Sequence, residues 1–189
     1  MHLEVDVTDG IGQLGGPESP ALGSTPDMAT DPPPDLELAP LKGEPRTVAA
    51  WVTLFNLAVV VLDPFTYESA WLLDEAGRIL TDYTAADVRV GWVVAASAEE
   101  TKQFLGPWAD ELLTFADPDR AFVKGLRLTS LPAFVHINMA GKAEAVAEGW
   151  DPAAWRKVAA NLSRVLDWTQ PVIPGPRAPA PYAGSPAGG

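Results

Sequence analysis

The sequence predicts an α/β fold in which helices flank a mixed sheet, and three observations support this. Two aliphatic runs, Leu57 to Leu62 and Asp87 to Ala95, each precede a helical segment, as in parallel strands that are buried on both faces. Two further runs, Leu131 to Asn138 and Lys142 to Glu148, enclose a short turn, which favours an antiparallel hairpin. Finally, apolar residues follow a helical spacing from Trp155 to Leu166.

Local capping signals indicate where the helices begin. They are Thr47, Ser97 with Glu100, Asp117 with Pro118, and Asp151 with Pro152. The first helix should end at Asn56, and helical spacing also runs from Leu72 to Tyr83. A short helical piece, Trp108 to Leu113, should follow the helix that begins after Ser97. The predicted order is therefore α-β-α-β-α-α-β-β-α, with a parallel pair of strands and an antiparallel edge.

Composition divides the chain into a central domain and two tails. Residues 1–45 contain nine acidic residues and one lysine, and they contain no aromatic residue. Residues 171–189 contain six prolines and four glycines. Segments of this composition bury too little apolar area to offset their ordering entropy. We therefore expect disordered tails at residues 1–45 and 169–189, and one folded domain at residues 46–168.

Charge and residue usage exclude several classes of function. The chain contains no cysteine, so it has no thiolate for disulfide exchange, peroxide reduction or metal binding. Its net charge of −12 argues against binding to nucleic acid or to anionic membranes. No basic cluster followed by an apolar run is present at the N-terminus, and no apolar run reaches the length of a bilayer span. A cytoplasmic location is the resulting expectation.

Three short motifs, in this order, resemble those of the thioredoxin-like superfamily. Asp117 to Arg120 is similar to a step in its peroxiredoxin-like and thiol-disulfide-reductase-like branch. Ser130 to Val135 resembles the cis-proline loop and the strand after it, and Glu148 to Asp151 resembles the entry into the closing helix. The resemblance covers about residues 46–168. It implies a βαβ-ββα thioredoxin-like domain with a cis bond before Pro132.

The position of the active site in that family carries different residues here. Phe65-Thr66-x-x-Ser69 resembles the peroxiredoxin pattern F-T-x-x-C, with Ser69 in place of the peroxidatic cysteine and Thr66 in place of its partner hydroxyl. The guanidinium that peroxiredoxins place nearby is not evident in the sequence. A serine needs a base, whereas a thiolate forms near neutral pH. We therefore expect neither peroxidase nor thiol oxidoreductase activity.

Other chemistries have weaker support. Ser69 fits the first turn of a helix better than a nucleophile, because His136 is the only histidine of the predicted domain and lies among apolar residues. The carboxylates of Asp63, Glu68 and Asp74 are spaced too widely to predict a metal site. Neither a metal nor a cofactor is expected.

The resemblance implies a function in binding. Relatives hold extended peptides in a groove between the former cysteine site and the cis-proline loop. In this chain we expect that groove to bind a protein or peptide partner through Phe65, Thr66, Tyr67, Ser69, Trp71, Leu131 and Pro132.

Two alternatives stay open. One is a transferase that uses a thiol cofactor with help from Tyr67 or Ser69. The other is an accessory subunit whose acidic tail contacts a basic partner. The sequence leaves the oligomeric state undetermined.

Overall fold

The computed structural model describes residues 29–188. The strands are β1 Glu37–Pro40, β2 Arg46–Thr47, β3 Asn56–Leu62, β4 Val88–Val94, β5 Leu113–Ala116, β6 Ser130–Leu131, β7 Ala133–Ile137, β8 Ala143–Glu148 and β9 Ser185–Pro186. The helices are α1 Val48–Trp51, α2 Tyr67–Thr81, α3 Ala98–Leu105, α4 Trp108–Glu111, α5 Ala121–Gly125 and α6 Pro152–Leu166.

The main sheet has seven strands in the order β2-β1-β5-β4-β3-β7-β8. Strands β3, β4 and β5 run parallel to one another, and β7 and β8 form an antiparallel hairpin beside β3. The predicted parallel pair and the predicted hairpin are therefore confirmed. A separate ladder of two strands pairs β6 with β9.

Side chains of β3 alternate between two hydrophobic cores, one on each face of the sheet. Ala58, Val60 and Leu62 pack with α2, α3 and α6, and Leu57 and Val59 pack on the opposite face with α1 and α5. All seven residues of β3 are buried, as expected for a central strand that helices cover on both faces.

Several of the predicted helix starts are present at the residues expected. Thr47 accepts a hydrogen bond from the amide of Ala50, and Ser97 with Glu100 forms a complete capping box. Asp151 caps α6, with Pro152 in the first turn. At the other predicted start, the helix begins only at Ala121, because residues 118–120 form a turn.

Asp117 still caps this later helix. Its carboxylate accepts hydrogen bonds from the amides of Ala121 and Phe122, at 2.8 and 3.0 Å. Desolvation by burial raises the pKa of Asp117 against the opposing effect of these amides.

The predicted helix from Trp108 to Leu113 is shorter than expected. It ends at Glu111, and the next residues form β5, which the sequence analysis did not predict. Phe115 is fully buried on one face of the sheet and Thr114 is buried on the other. The first helix also ends early, at Trp51 rather than at Asn56, which begins β3.

The boundaries of the folded unit differ from those that composition predicted. Strand β1 lies within the expected N-terminal tail, pairs with β5 and buries Leu38 to 1 % exposure. In the expected C-terminal tail, Ile173 and Ala187 are buried, and β9 pairs with β6. Long-range backbone pairing therefore orders residues whose composition is typical of disorder. The remainder of the expected N-terminal tail, residues 1–28, lies outside the described residues.

Candidate functional site

The loop between β3 and α2 is shaped by the residue that follows the central strand. Asp63 accepts a hydrogen bond from the Phe65 amide through Oδ1 at 3.0 Å, and its carbonyl accepts one from the Thr66 hydroxyl at 3.0 Å. Thr66 is the N-cap residue of α2 but makes no side-chain capping bond. Its hydroxyl thus stabilises the loop.

Ser69 lies in the first turn of α2 and is fully buried. Its Oγ accepts a hydrogen bond from the Asp63 amide at 2.9 Å. The predicted first-turn position is confirmed. This serine therefore lacks the surface access that a ligand-binding residue needs.

A guanidinium does reach this loop, which corrects the sequence analysis. Arg120 donates through Nη2 to Oδ2 of Asp63 at 2.6 Å, and the side chains are only 15 % and 4 % exposed. Its Nη1 donates to the carbonyl of Ala187 at 2.9 Å. The sequence signal was available in the motif from Asp117 to Arg120, which was assigned to the fold rather than to the site.

The cis-proline loop is present and is covered. The Leu131–Pro132 bond is cis, as predicted, and both residues are buried. Strand β9 lies antiparallel to β6, with Ser185 opposite Leu131. The groove side of this loop is therefore occupied by the C-terminal segment, which we define as residues 169–188.

Three of the predicted site residues are exposed aromatics in and after the loop between β3 and α2. Phe65, Tyr67 and Trp71 are 68, 77 and 58 % exposed, and we call them the aromatic surface. The rings of Tyr67 and Trp71 are stacked with 6.2 Å between centroids. Trp71 also contacts the edge of Tyr182 in the C-terminal segment, at 5.7 Å. The remaining predicted site residues are less accessible: Thr66 is partly buried, and Ser69, Leu131 and Pro132 are buried.

Tyr182 connects the aromatic surface to the C-terminal segment. Its hydroxyl donates to the carbonyl of Glu68 at 2.5 Å. Burial raises the pKa of Tyr182, so the hydroxyl stays protonated and remains a hydrogen-bond donor near neutral pH.

His136 is a core residue with both ring nitrogens engaged. Nδ1 lies 2.8 Å from Oδ1 of Asn161, and Nε2 lies 3.1 Å from Oδ1 of Asn56. Burial lowers the pKa of His136. The buried histidine thus has a polar side chain next to each ring nitrogen, which agrees with the structural role favoured by the sequence.

The carboxylates considered for a metal site have other partners or are dispersed. Within residues 29–188, no group of three acidic, histidine or cysteine side chains could hold a metal ion. Asp63 instead pairs with Arg120. Over the same stretch, no helix combines the length and the apolar character needed to cross a membrane.

A surface cavity of about 500 Å³ lies where the C-terminal segment meets α2. Asp74, Glu75, Arg78 and Trp108 line it together with Arg177, and the sequence analysis did not predict it. Glu75 accepts from Arg78 at 2.8 Å and from the Gly175 amide at 2.7 Å. These contacts hold the first part of the C-terminal segment against the helix.

Comparison with solved structures shows that the fold is thioredoxin-like. A protein from Chlorobium tepidum described as a putative thiol:disulfide interchange protein DsbE has a TM-score of 0.60 and 17% identity, covering 73% of this chain and 97% of that one. A cysteine-to-serine mutant of peroxiredoxin Q from Xanthomonas campestris has a TM-score of 0.58 and 16% identity, covering 73% and 98%. At these identities the similarity concerns the fold alone.

A third similar structure is described as a secreted disulfide oxidoreductase from Mycobacterium tuberculosis. Its TM-score is 0.50 with 13% identity, and the match covers 61% of this chain and 84% of that one. No protein-family model matches the chain. No curated protein matches its sequence either. The chain thus has a thioredoxin-like fold without the cysteines on which thiol chemistry depends.

Proposed function

We propose that this protein binds an extended segment of a protein partner beside the loop between β3 and α2, and that it carries out no thiol chemistry. The observation that supports this most directly is the aromatic surface. Large aromatic side chains that stay exposed together are typical of interaction sites, because their burial supplies most of the binding energy. Tyr67 and Trp71 have this character, since their exposed rings stack on one another, and Phe65 is a further exposed ring in the loop before them.

The chemistry around Ser69 supports a function in binding rather than catalysis. Ser69 stands where the family motif has its cysteine, and its Oγ is buried and bonded to the Asp63 amide. His136, a candidate base, is buried, and an asparagine side chain lies within hydrogen-bonding distance of each ring nitrogen. Neither residue has the exposure that a nucleophile or a base needs to meet a substrate.

The two alternatives from the sequence have less support. A transferase would have to rely on Tyr67, because Ser69 is buried. An accessory subunit with an acidic tail would rely largely on residues outside the described range, and Asp31 of that tail pairs with Lys142 at 3.0 Å. The cytoplasmic location stays a prediction from the sequence.

Site-specific photocrosslinking would test the proposal. A photoreactive phenylalanine analogue is placed at Tyr67, or at Met139 as a control, since Met139 is also apolar and is 57 % exposed on a distant turn. Crosslinks to one defined partner from position 67, lost when Trp71 is replaced by Ser, would support the proposal. The same crosslinks from position 139, or insensitivity to Trp71→Ser, would contradict it.

A further inference from the structure

The C-terminal segment occupies the groove as an added strand. Beside the pairing of Ser185 with Leu131, the amide of Ala187 donates to the carbonyl of Thr129 at 2.9 Å. Further back, Tyr182 and Trp150 exchange two backbone hydrogen bonds, at 2.8 and 3.0 Å. Strand addition of this kind is a general mode of peptide recognition, in which main-chain bonds give affinity and side-chain pockets give specificity.

One position of the segment accepts only glycine. Gly184 has a φ of +88°, and a Cβ there would lie 2.7 Å from the carbonyl oxygen of Leu131 and 3.0 Å from Cα of Gly149. The facing backbone at Gly149 is just as crowded, because a Cβ on Gly149 would lie 2.4 Å from the carbonyl oxygen of Ala183. The two backbones therefore meet with no room for a side chain at position 184.

The neighbouring positions have their own contacts. Tyr182 packs against Trp71 and bonds to Glu68. The hydroxyl of Ser185 donates to the carbonyl of Leu131 at 3.3 Å. The side chain of Ala187 is only 1 % exposed within the core on the α1 and α5 face of the sheet. Together with Gly184, these contacts define a pattern of aromatic, any residue, Gly, Ser, any residue, small residue.

Residues 179–188, which occupy the groove, are held by different contacts from those that hold residues 172–175. Residues 172–175 are bound by Arg78, Arg156 and Glu75, through the carbonyls of Val172 and Ile173 and the amide of Gly175. In residues 179–188, only the small residues Ser185 and Ala187 are buried. This part is held instead by main-chain bonds to Trp150 and Thr129, by half-buried Tyr182 and by the Arg120 guanidinium. None of these contacts involves residues 172–175, so the last part can open locally while the earlier part stays bound.

From these contacts we infer that the groove recognises an extended segment of a partner protein with the pattern of Tyr182 to Ala187, and that the chain's own segment competes for it. This inference rests on the proposed binding function. An attached segment has an effective concentration in the millimolar range, so a free partner binds only to the fraction of molecules whose groove is open. Weakening the attached segment should then strengthen binding in trans.

The test uses the full chain and a fluorescein-labelled synthetic peptide of residues 179–188, measured by fluorescence anisotropy. Gly184→Ala displaces the attached segment and leaves the groove residues unchanged. Gly188→Ala is the matched control, because a Cβ there has no atom within 4 Å. Ala187→Glu, which cannot fit the buried position, displaces the segment by a different route. Circular dichroism shows which variants remain folded.

Binding to the Gly184→Ala chain should be at least about tenfold tighter than to the wild type or the Gly188→Ala chain. Ala187→Glu should give a similar gain. A peptide with Ala in place of Gly184 should not bind to any of these chains. Equal binding to all chains, or equal binding of the two peptides, would overturn the inference.

The outcomes also separate this inference from the proposed function. Crosslinks from position 67 without peptide binding to the Gly184→Ala chain would overturn this inference alone. Peptide binding without such crosslinks would support the groove and contradict Tyr67 as a contact of the partner. Light scattering checks the choice of occupant, since a wild-type dimer that loses its dimeric state on Gly184→Ala would show that a second copy supplies the segment.

Discussion

Arg120 and Asp63 form an ion pair between two loops that are 57 residues apart in sequence, with 2.6 Å between Nη2 and Oδ2. The pair joins the loop after β3 to the turn before α5. Arg120 has a φ of 54°, in the left-handed region that non-glycine residues rarely adopt. Its second bond, to the carbonyl of Ala187, extends the connection to the C-terminal segment. The guanidinium thereby links the loop after β3 to the C-terminal segment.

Arg120→Ala should be strongly destabilising, because it leaves the buried carboxylate of Asp63 without its cation. We expect a loss of about 3 kcal/mol in the free energy of unfolding. Arg127→Ala is the matched control, since Arg127 has the same φ of 54° but is exposed. Urea denaturation of both variants measures the difference. Equal losses would show that the ion pair contributes nothing beyond the effect of an Arg-to-Ala change at a positive φ.

A thiol introduced at position 69 should be inert. Ser69→Cys places a sulfhydryl in a fully buried site, whereas Ala70→Cys places one on the exposed face of the same helix. Reaction with an aromatic disulfide reagent should be at least about 100-fold slower for Ser69→Cys, because it requires local opening. Neither variant should reduce peroxide above the wild-type rate. Comparable thiol reaction rates would mean that position 69 is accessible in solution.

Leu38 tests the revised boundary of the folded unit. Leu38→Ala should cost about 3 kcal/mol of stability, because the side chain is 1 % exposed in the core. Leu54→Ala, where the side chain is 69 % exposed, should change stability by less than about 0.5 kcal/mol. Thermal or urea unfolding gives both values. A neutral Leu38→Ala would support the disordered tail that composition predicted.

The burial of His136 predicts a dependence of stability on pH. Burial lowers its pKa in the folded state, against the opposing effects of Asn161 and Glu144 and with a small contribution from Arg164. The unfolded state then binds the proton first, so stability is present above the usual pKa of about 6.5 and falls as the pH drops below it.

Urea unfolding between pH 8 and pH 5 measures this effect. For one proton the slope reaches at most about 1.4 kcal/mol per pH unit. His136→Gln keeps a polar side chain without a titrating group, and it should remove this component of the slope. An unchanged slope in that variant would assign the pH dependence to other groups.

Local sequence signals predicted the elements whose stability is decided locally. Thr47, the capping box of Ser97 with Glu100, and the apolar stripe of α6 are read from neighbouring residues. The run from Leu57 to Leu62 needed only its unbroken aliphatic character to be identified as a central strand. Each of these signals is contained in a short, continuous stretch of sequence.

The missed parts depend on distant partners. Strand β5 has only four residues and joins the sheet between β4 and β1, so its pairing cannot be read from its own sequence. The C-terminal segment has few large side chains, and its order comes from bonds to distant groups, among them β6, Trp150 and the side chains of Glu75 and Arg120. The fit of Gly184 against Leu131 likewise requires coordinates. For the candidate site, the sequence analysis named aromatic residues that the structure shows to be exposed, but it did not predict what covers the cis-proline loop.

The pairing of β9 with β6 also bears on the solubility of the protein. An unpaired strand edge exposes amide and carbonyl groups that can template association between identical molecules. In this chain Ser185 satisfies part of the edge at Leu131, and Pro186 lacks the amide donor needed to extend the ladder outward. If a partner displaces the segment, as we propose, that partner would have to cover the edge in its place. A molecule whose groove is open and empty should be the species most prone to aggregate.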